Sequence, residues 1–160
     1  SAGDLVAWVR IPSLAKDTDT QIYMYYGNSC IANNTENPEG VWVNYAGVWH
    51  LKETPTVDAY AYDSTSNDND CSFGSEVTSD DQVSGRIAGG LDFDDTSSND
   101  RISASDHTSL GGMSGLTVET WVKLKVLPPP VPGDNSQSYY MSYKAHSGAP
   151  WFSWQFMAPD

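Results

Sequence analysis

Hydrophobic and polar positions alternate with period two over residues 116–126. Leu116, Val118, Thr120, Val122, Leu124 and Val126 interleave with Thr117, Glu119, Trp121, Lys123 and Lys125. That period predicts a strand with one face on a core, because a helix would scatter those apolar positions around its circumference. Upstream, Gly89-Gly90 leads into Leu91-Asp92-Phe93-Asp94, a strand with Leu91 and Phe93 inward and Asp92 and Asp94 on the opposite face. Residues 4–11 and 20–26 read as two strands able to pair as a β-ribbon across a proline-containing link, and 41–51 reads as an aromatic strand. Two more strands are expected over 138–144, with Tyr139, Met141 and Tyr143 on one face, and over 150–157, with Phe152, Trp154 and Phe156 opposing Trp151, Ser153, Gln155 and Met157. No stretch reads as a helix. The polar region 54–81, broken only by Val57-Asp58-Ala59-Tyr60-Ala61-Tyr62, and the proline-rich 127–137 read as loops.

Composition agrees with a folded, aromatic-rich β protein. Of the 160 residues 39% are hydrophobic, with nine Tyr, six Trp and four Phe, enough apolar surface to offset the ordering entropy that keeps polar chains disordered. The length suits one domain with a core, or a domain with an appendage. A formal charge of -13 repels phosphate backbones and anionic membranes, so nucleic acid is a poor partner, and no apolar run approaches the ~20 residues of a membrane span. The charge suits solubility in salt, or attraction of divalent cations.

The order of motifs resembles the laminin-G-like and concanavalin A-like jelly rolls of secreted multidomain proteins. Asp63-Ser64-Thr65-Ser66-Asn67 stands for that family's Asn-rich loop, and Gly85-Arg86-Ile87-Ala88-Gly89-Gly90-Leu91-Asp92-Phe93-Asp94 for its Gly-x-x-Gly-x-Ala/Gly-Leu-x-Phe-Asp strand. Arg101-Ile102-Ser103 and Leu116-Thr117-Val118-Glu119-Thr120-Trp121-Val122-Lys123 follow in the family's order, and Gly47-Val48-Trp49-His50-Leu51 resembles its first strand. Ahead of these, Trp8-Val9-Arg10-Ile11-Pro12 and Tyr25-Tyr26-Gly27-Asn28 resemble the closing segment of an uncharacterised domain family that commonly precedes laminin-G-like domains. The resemblance implies an all-β, concanavalin A-like jelly-roll β-sandwich over 45–160, shortened relative to the family, after an N-terminal β-ribbon and connector over 1–44. It implies a binding fold more firmly than any ligand.

Cys30 and Cys71 stand in polar, loop-like surroundings and are expected to pair, the other reading being two unrelated thiols. Cys71 occupies a position where the family usually has Gly, which the pairing would explain. Such a bond stabilises by roughly 4 kcal/mol in the chain-entropy model and belongs to an oxidising compartment. Asn33-Asn34-Thr35 fits the glycosylation sequon at Asn33, by chance or by modification. For Ca²⁺, which laminin-G-like domains often hold at the sheet rim, Asp63, Asn67, Asn69 and Asp70 supply oxygen ligands in one loop, and Asp92, Asp94 and Asp95 supply more. The same Asp and Asn residues equally suit Asx-turns and loop caps. Trp151, Trp154, Tyr139 and Tyr143 are candidate platforms for stacking on sugar rings, or else inter-sheet packing.

Catalysis is not expected. The paired carboxylates of jelly-roll glucanases, Glu-x-Asp-x-x-Glu on one strand, are absent, Glu119 stands alone on its strand, and His50, His107 and His146 have no recognisable Ser or Cys elbow. The expected function is therefore a non-catalytic extracellular module for adhesion or carbohydrate binding from a microbial surface protein. Its partner would be a glycan or cell-surface polymer. A structural subunit of an extracellular filament, whose copies complete one another by strand addition, and an accessory domain of a secreted glycoside hydrolase are the alternatives. Strands rich in Tyr, Trp and Phe with uncovered edges suit the filament reading, or a fragment of a longer polypeptide.

Overall fold

A computed structural model gives the fold; it describes residues 5–93 and 100–123, and the strand backbones at Tyr140–Ala145 and Phe152–Met157. The chain divides into two compact units, Ser1–Leu110 and Gly111–Asp160, each described by itself. The class is all-β: short strands dominate, and helix is confined to one four-residue α-helix and two 3-10 turns among the described residues.

In the first unit, β1 (Tyr60–Ala61), β2 (Cys71–Phe73) and β5 (Ile102–Ala104) form an antiparallel sheet in the order β1-β2-β5. Register places Ala61 opposite Cys71 and Cys71 opposite Ala104, and on the alternate face Tyr60 opposite Ser72 and Ser72 opposite Ser103. The inner row is built of small side chains, with Ala61 0% and Cys71 6% exposed, and the outer row is exposed throughout. Period-two alternation thus survives in strands of only two or three residues. Pro55 and Val77 complete the small buried core.

A second antiparallel pair, β3 (Gln82–Ser84) with β4 (Gly89–Leu91), is a hairpin closed by Gly85 N–H donating to the Ala88 carbonyl at 3.0 Å. The strand expected at Leu91-Asp92-Phe93-Asp94 is shifted: β4 takes the two glycines and ends at Leu91. Asp92 and Phe93 carry no strand, Phe93, expected inward, is 44% exposed, and Asp94 lies outside the described residues. A Cβ on Gly89 would run into the Leu51 carbonyl oxygen and Lys52 Cα, so glycine is required where the 51–52 backbone crosses the hairpin. Gln82 secures that crossing, its Nε2 donating to the Lys52 carbonyl at 3.0 Å and its Oε1 accepting from Thr54 Oγ1 at 3.2 Å.

Two expectations of longer strands fail in this unit. The ribbon of 4–11 with 20–26 is not formed: residues 5–35 carry no strand or helix, and Ile22, Tyr23, Met24, Tyr25 and Tyr26 are all exposed. Their apolar and aromatic run is intact, but such a run makes a strand only where a partner supplies the ladder hydrogen bonds. The aromatic strand over 41–51 is replaced by α1 (Pro38–Val41) and an irregular run, with only Trp49 bridging to Asp63. Asn37 caps α1 by accepting from Gly40 N–H at 3.1 Å, and Pro38 occupies the first helical position, where its missing N–H costs nothing. The short Asn-Pro-Glu-Gly segment therefore turns instead of extending.

In the second unit the strand expected over 116–126 is not formed at 116–123, where Trp121 is 74% exposed; 124–126 lie outside the described residues. No described strand pairs with it, so its period-two pattern has no ladder to join. The last two predicted strands do form. β6 (Tyr140–Ala145) and β7 (Phe152–Met157) pair antiparallel, Tyr143 opposite Gln155 and Lys144 opposite Trp154, with irregularities at Tyr140/Ser142 and Lys144/Ala145.

Candidate functional site

A knot of polar hydrogen bonds is centred on Asp63, two residues past the end of β1 in the loop before β2. Asp63 Oδ1 accepts from Val48 N–H at 2.8 Å and Thr65 N–H at 3.0 Å, and Oδ2 accepts from Thr65 Oγ1 at 2.7 Å and Asn69 N–H at 3.0 Å. The Asp63 N–H in turn donates to Asp70 Oδ1 at 2.8 Å. Asn69, 4% exposed, donates through Nδ2 to the Ala46 carbonyl at 2.6 Å and to Ser109 Oγ at 2.8 Å, while its carbonyl accepts from Trp49 Nε1 at 2.8 Å. Asn67 Nδ2 lies within hydrogen-bond distance of the Tyr45 and Ala46 carbonyls at 3.2 and 3.3 Å. Asp68 makes the turn with φ 52, a left-handed conformation that Asp tolerates better than most residues.

This arrangement decides between the two readings of the acidic loop for Asp63. A carboxylate offers about four lone-pair sites, and four donors already point their hydrogens at them. A cation there would face the positive ends of those N–H and O–H bonds, so Asp63 does not fit a Ca²⁺ ligand; it and Asn67 hold the loop. Asp92 belongs to the hairpin, its N–H donating to the Asp81 carbonyl at 2.8 Å, and Asp94 lies outside the described residues. Among the described residues no group of three or more His, Cys, Asp or Glu side chains is placed to hold a metal ion.

The knot supports the outer face of the β1-β2-β5 sheet. Tyr60 and Tyr62, two residues apart and so on one side of the chain, sit with ring centroids 6.3 Å apart in a T-shaped contact, 43% and 46% exposed. Beside Tyr60 stand Ser72 and Ser103, both exposed, with Ser72 Oγ donating to the Ser103 carbonyl at 3.1 Å. Sequence reasoning passed over this face. Its signal was there in Tyr60-Ala61-Tyr62, two aromatics flanking a small residue.

A second aromatic group gathers Trp8, Trp42, Tyr45 and His50. Trp8 lies 5.3 Å from Trp42 and stacks on His50 at 5.5 Å, and Trp42 meets Tyr45 edge-on at 5.1 Å. It tethers the N-terminal segment to the turn after α1. Burial pushes the His50 pKa down, as does nearby Lys52, with Glu53 opposing.

Comparison with known families adds one finding. Residues 1–73 match the model of a domain of unknown function (DUF2341). No curated protein and no solved structure matches the chain. The DUF2341 match runs past Tyr45, where the sequence reading sets the domain boundary, and stops at the last residue of β2. It therefore contains the aromatic group, the tyrosine pair and the knot around Asp63, while Ser109, which accepts from Asn69, and β5 lie beyond it.

Cys30 is exposed and Cys71 buried, and both are free thiols, so the expected pairing is not present in this structure. Burial, then the charges of Asp63 and Asp70, pushes the Cys71 thiol up to about 12. Asn33 is exposed, as a sequon requires. Tyr139 and Trp151 lie outside the described residues, and Tyr143 and Trp154 are placed by backbone alone, on paired strands but not opposite each other.

Proposed function

We propose that this protein is a non-catalytic extracellular module for adhesion or carbohydrate binding, carried on a concanavalin A-like jelly-roll scaffold. The observation that carries the reading is the Tyr60–Tyr62 pair held beside exposed serines on a sheet whose loop is pinned by Asp63. Aromatic rings bind the C–H faces of sugars and hydroxyl groups bind their rims, and such contacts cost little ordering entropy on a fixed sheet. A printed array of neutral and charged glycans tests it. Reproducible binding to one structural class is the expected result, and silence across the array together with silence toward soluble polysaccharides refutes it.

A second reading, a filament subunit completed by strand addition between copies, is favoured by one specific observation. Tyr25 and Tyr26 are 92% and 86% exposed in an apolar, aromatic-rich segment with no strand pairing of its own. Analytical ultracentrifugation over a concentration series decides it: open-ended association supports the filament, and a single monomeric species removes it.

A further inference from the structure

Resting on the binding-module reading, we infer that the outer face of the β1-β2-β5 sheet binds internal stretches of a neutral polysaccharide, with Tyr60 and Tyr62 stacking and Ser72 and Ser103 hydrogen-bonding. The register fixes the layout. Tyr60, Ser72 and Ser103 are direct cross-strand neighbours on the exposed face. With strands about 4.8 Å apart, the row is about 10 Å long, enough for more than one sugar ring. The tyrosines end the row with apolar ring faces, and the serines continue it with hydroxyls.

Shape selects the part of the polymer. Tyr60, Ser72 and Ser103 are all exposed along the row, so among the described residues the face can receive a chain lying across it. Affinity is therefore expected to rise with chain length, and monosaccharides to bind weakly. Charge selects the class. The chain carries a formal charge of -13, and Asp63 and Asp70 follow Tyr62 in the supporting loop, so uronate-rich or sulfated polymers are repelled and neutral ones admitted.

Native affinity electrophoresis of the full 160-residue chain suits the test, because its negative charge gives high mobility. Gels carry hydroxyethylcellulose, galactomannan or arabinoxylan, with alginate as the anionic comparison. At least one neutral polymer should retard the protein and alginate should not. Tyr60→Ala with Tyr62→Ala should weaken retardation by about tenfold or more. Ser103→Lys, at an exposed position, should do the same by blocking the face without touching the tyrosines, and it keeps the test valid if the tyrosine variant misfolds. Retardation unchanged by Ser103→Lys and by a folded tyrosine variant overturns this face while leaving the module reading intact. So does an array signal for short terminal glycans with no retardation by any polymer. Silence on both array and gels sinks face and module together.

Discussion

Removing the Asp63 carboxylate is the sharpest perturbation of this fold. In Asp63→Ala the amides of Val48, Thr65 and Asn69 and the Thr65 hydroxyl lose their acceptor at once. Hydrogen bonds to a charged group contribute about 1.5–3 kcal/mol each, so four summed would exceed the usual range for a point mutation. The site is part-buried and water recovers some of these donors, which brings the expected loss to about 3–5 kcal/mol. Asp63→Asn keeps the shape but turns an NH₂ toward two donors, for a loss of about 2–3 kcal/mol. Asp70→Ala removes one bond, to the Asp63 amide, and should cost about 1 kcal/mol. Urea unfolding followed by tryptophan fluorescence reads all three, with Trp49, bonded to the Asn69 carbonyl, as a reporter inside the knot. If Asp63→Ala costs less than about 1 kcal/mol, the carboxylate is not the organiser of this loop and the argument against it as a cation ligand loses its basis.

Gly89→Ala should destabilise by about 2 kcal/mol, because the added methyl meets the 51–52 backbone and no side chain can swing away; a thermal melt matching wild type would show that the crossing is looser than described. A thiol reagent at pH 8 should modify Cys30 quickly and Cys71 only on unfolding, and two equally fast thiols, or a Cys30–Cys71 peptide in non-reducing mass mapping, would contradict the buried thiol. The raised Cys71 pKa also gives a sign: its stabilisation is present below its ordinary value of 9.0 and is lost as pH climbs toward about 12. His50 runs the other way. Its pKa lies below the ordinary 6.5, so its contribution is present above pH 6.5 and is lost as pH falls below that value. Stability measured between pH 7 and 5 should decline less in His50→Gln than in wild type, and parallel curves would refute the assignment.

Much of the strand class was readable because alternation is local, and it failed where pairing is not. The β6–β7 pair sits where the pattern put it, and the strand expected from Leu91 onward ends there, whereas 116–123 has the alternation, and 20–26 an apolar run, with no partner. Sequence could not choose between ligand and turn for Asp63, because both need the same oxygen atoms; only the direction of the surrounding donors separates them. The α1 turn had a legible cap in Asn37-Pro38, hidden by a helix too short to leave a periodicity. Tyr60 and Tyr62 were read as an interruption in a loop, since a two-residue strand has no repeat to detect.

The knot also bears on the order in which the sheet can assemble. Its Asp63 bonds join residues no more than 15 apart, and the Asn69 side chain reaches Ala46 across 23, whereas the Ser72–Ser103 bond closes a loop of 31 and the knot's outer Asn69–Ser109 bond one of 40. Closure entropy grows with loop length, and a hairpin whose connection is already rigid has little left to lose. The β1–β2 corner can therefore form as a unit while β5 is still free, making the third strand the late and reversible one. Amide exchange should register this as opening of β5 at lower free energy than the Val48 and Asn69 amides, so the face carrying Tyr60 would persist through excursions that detach Ser103.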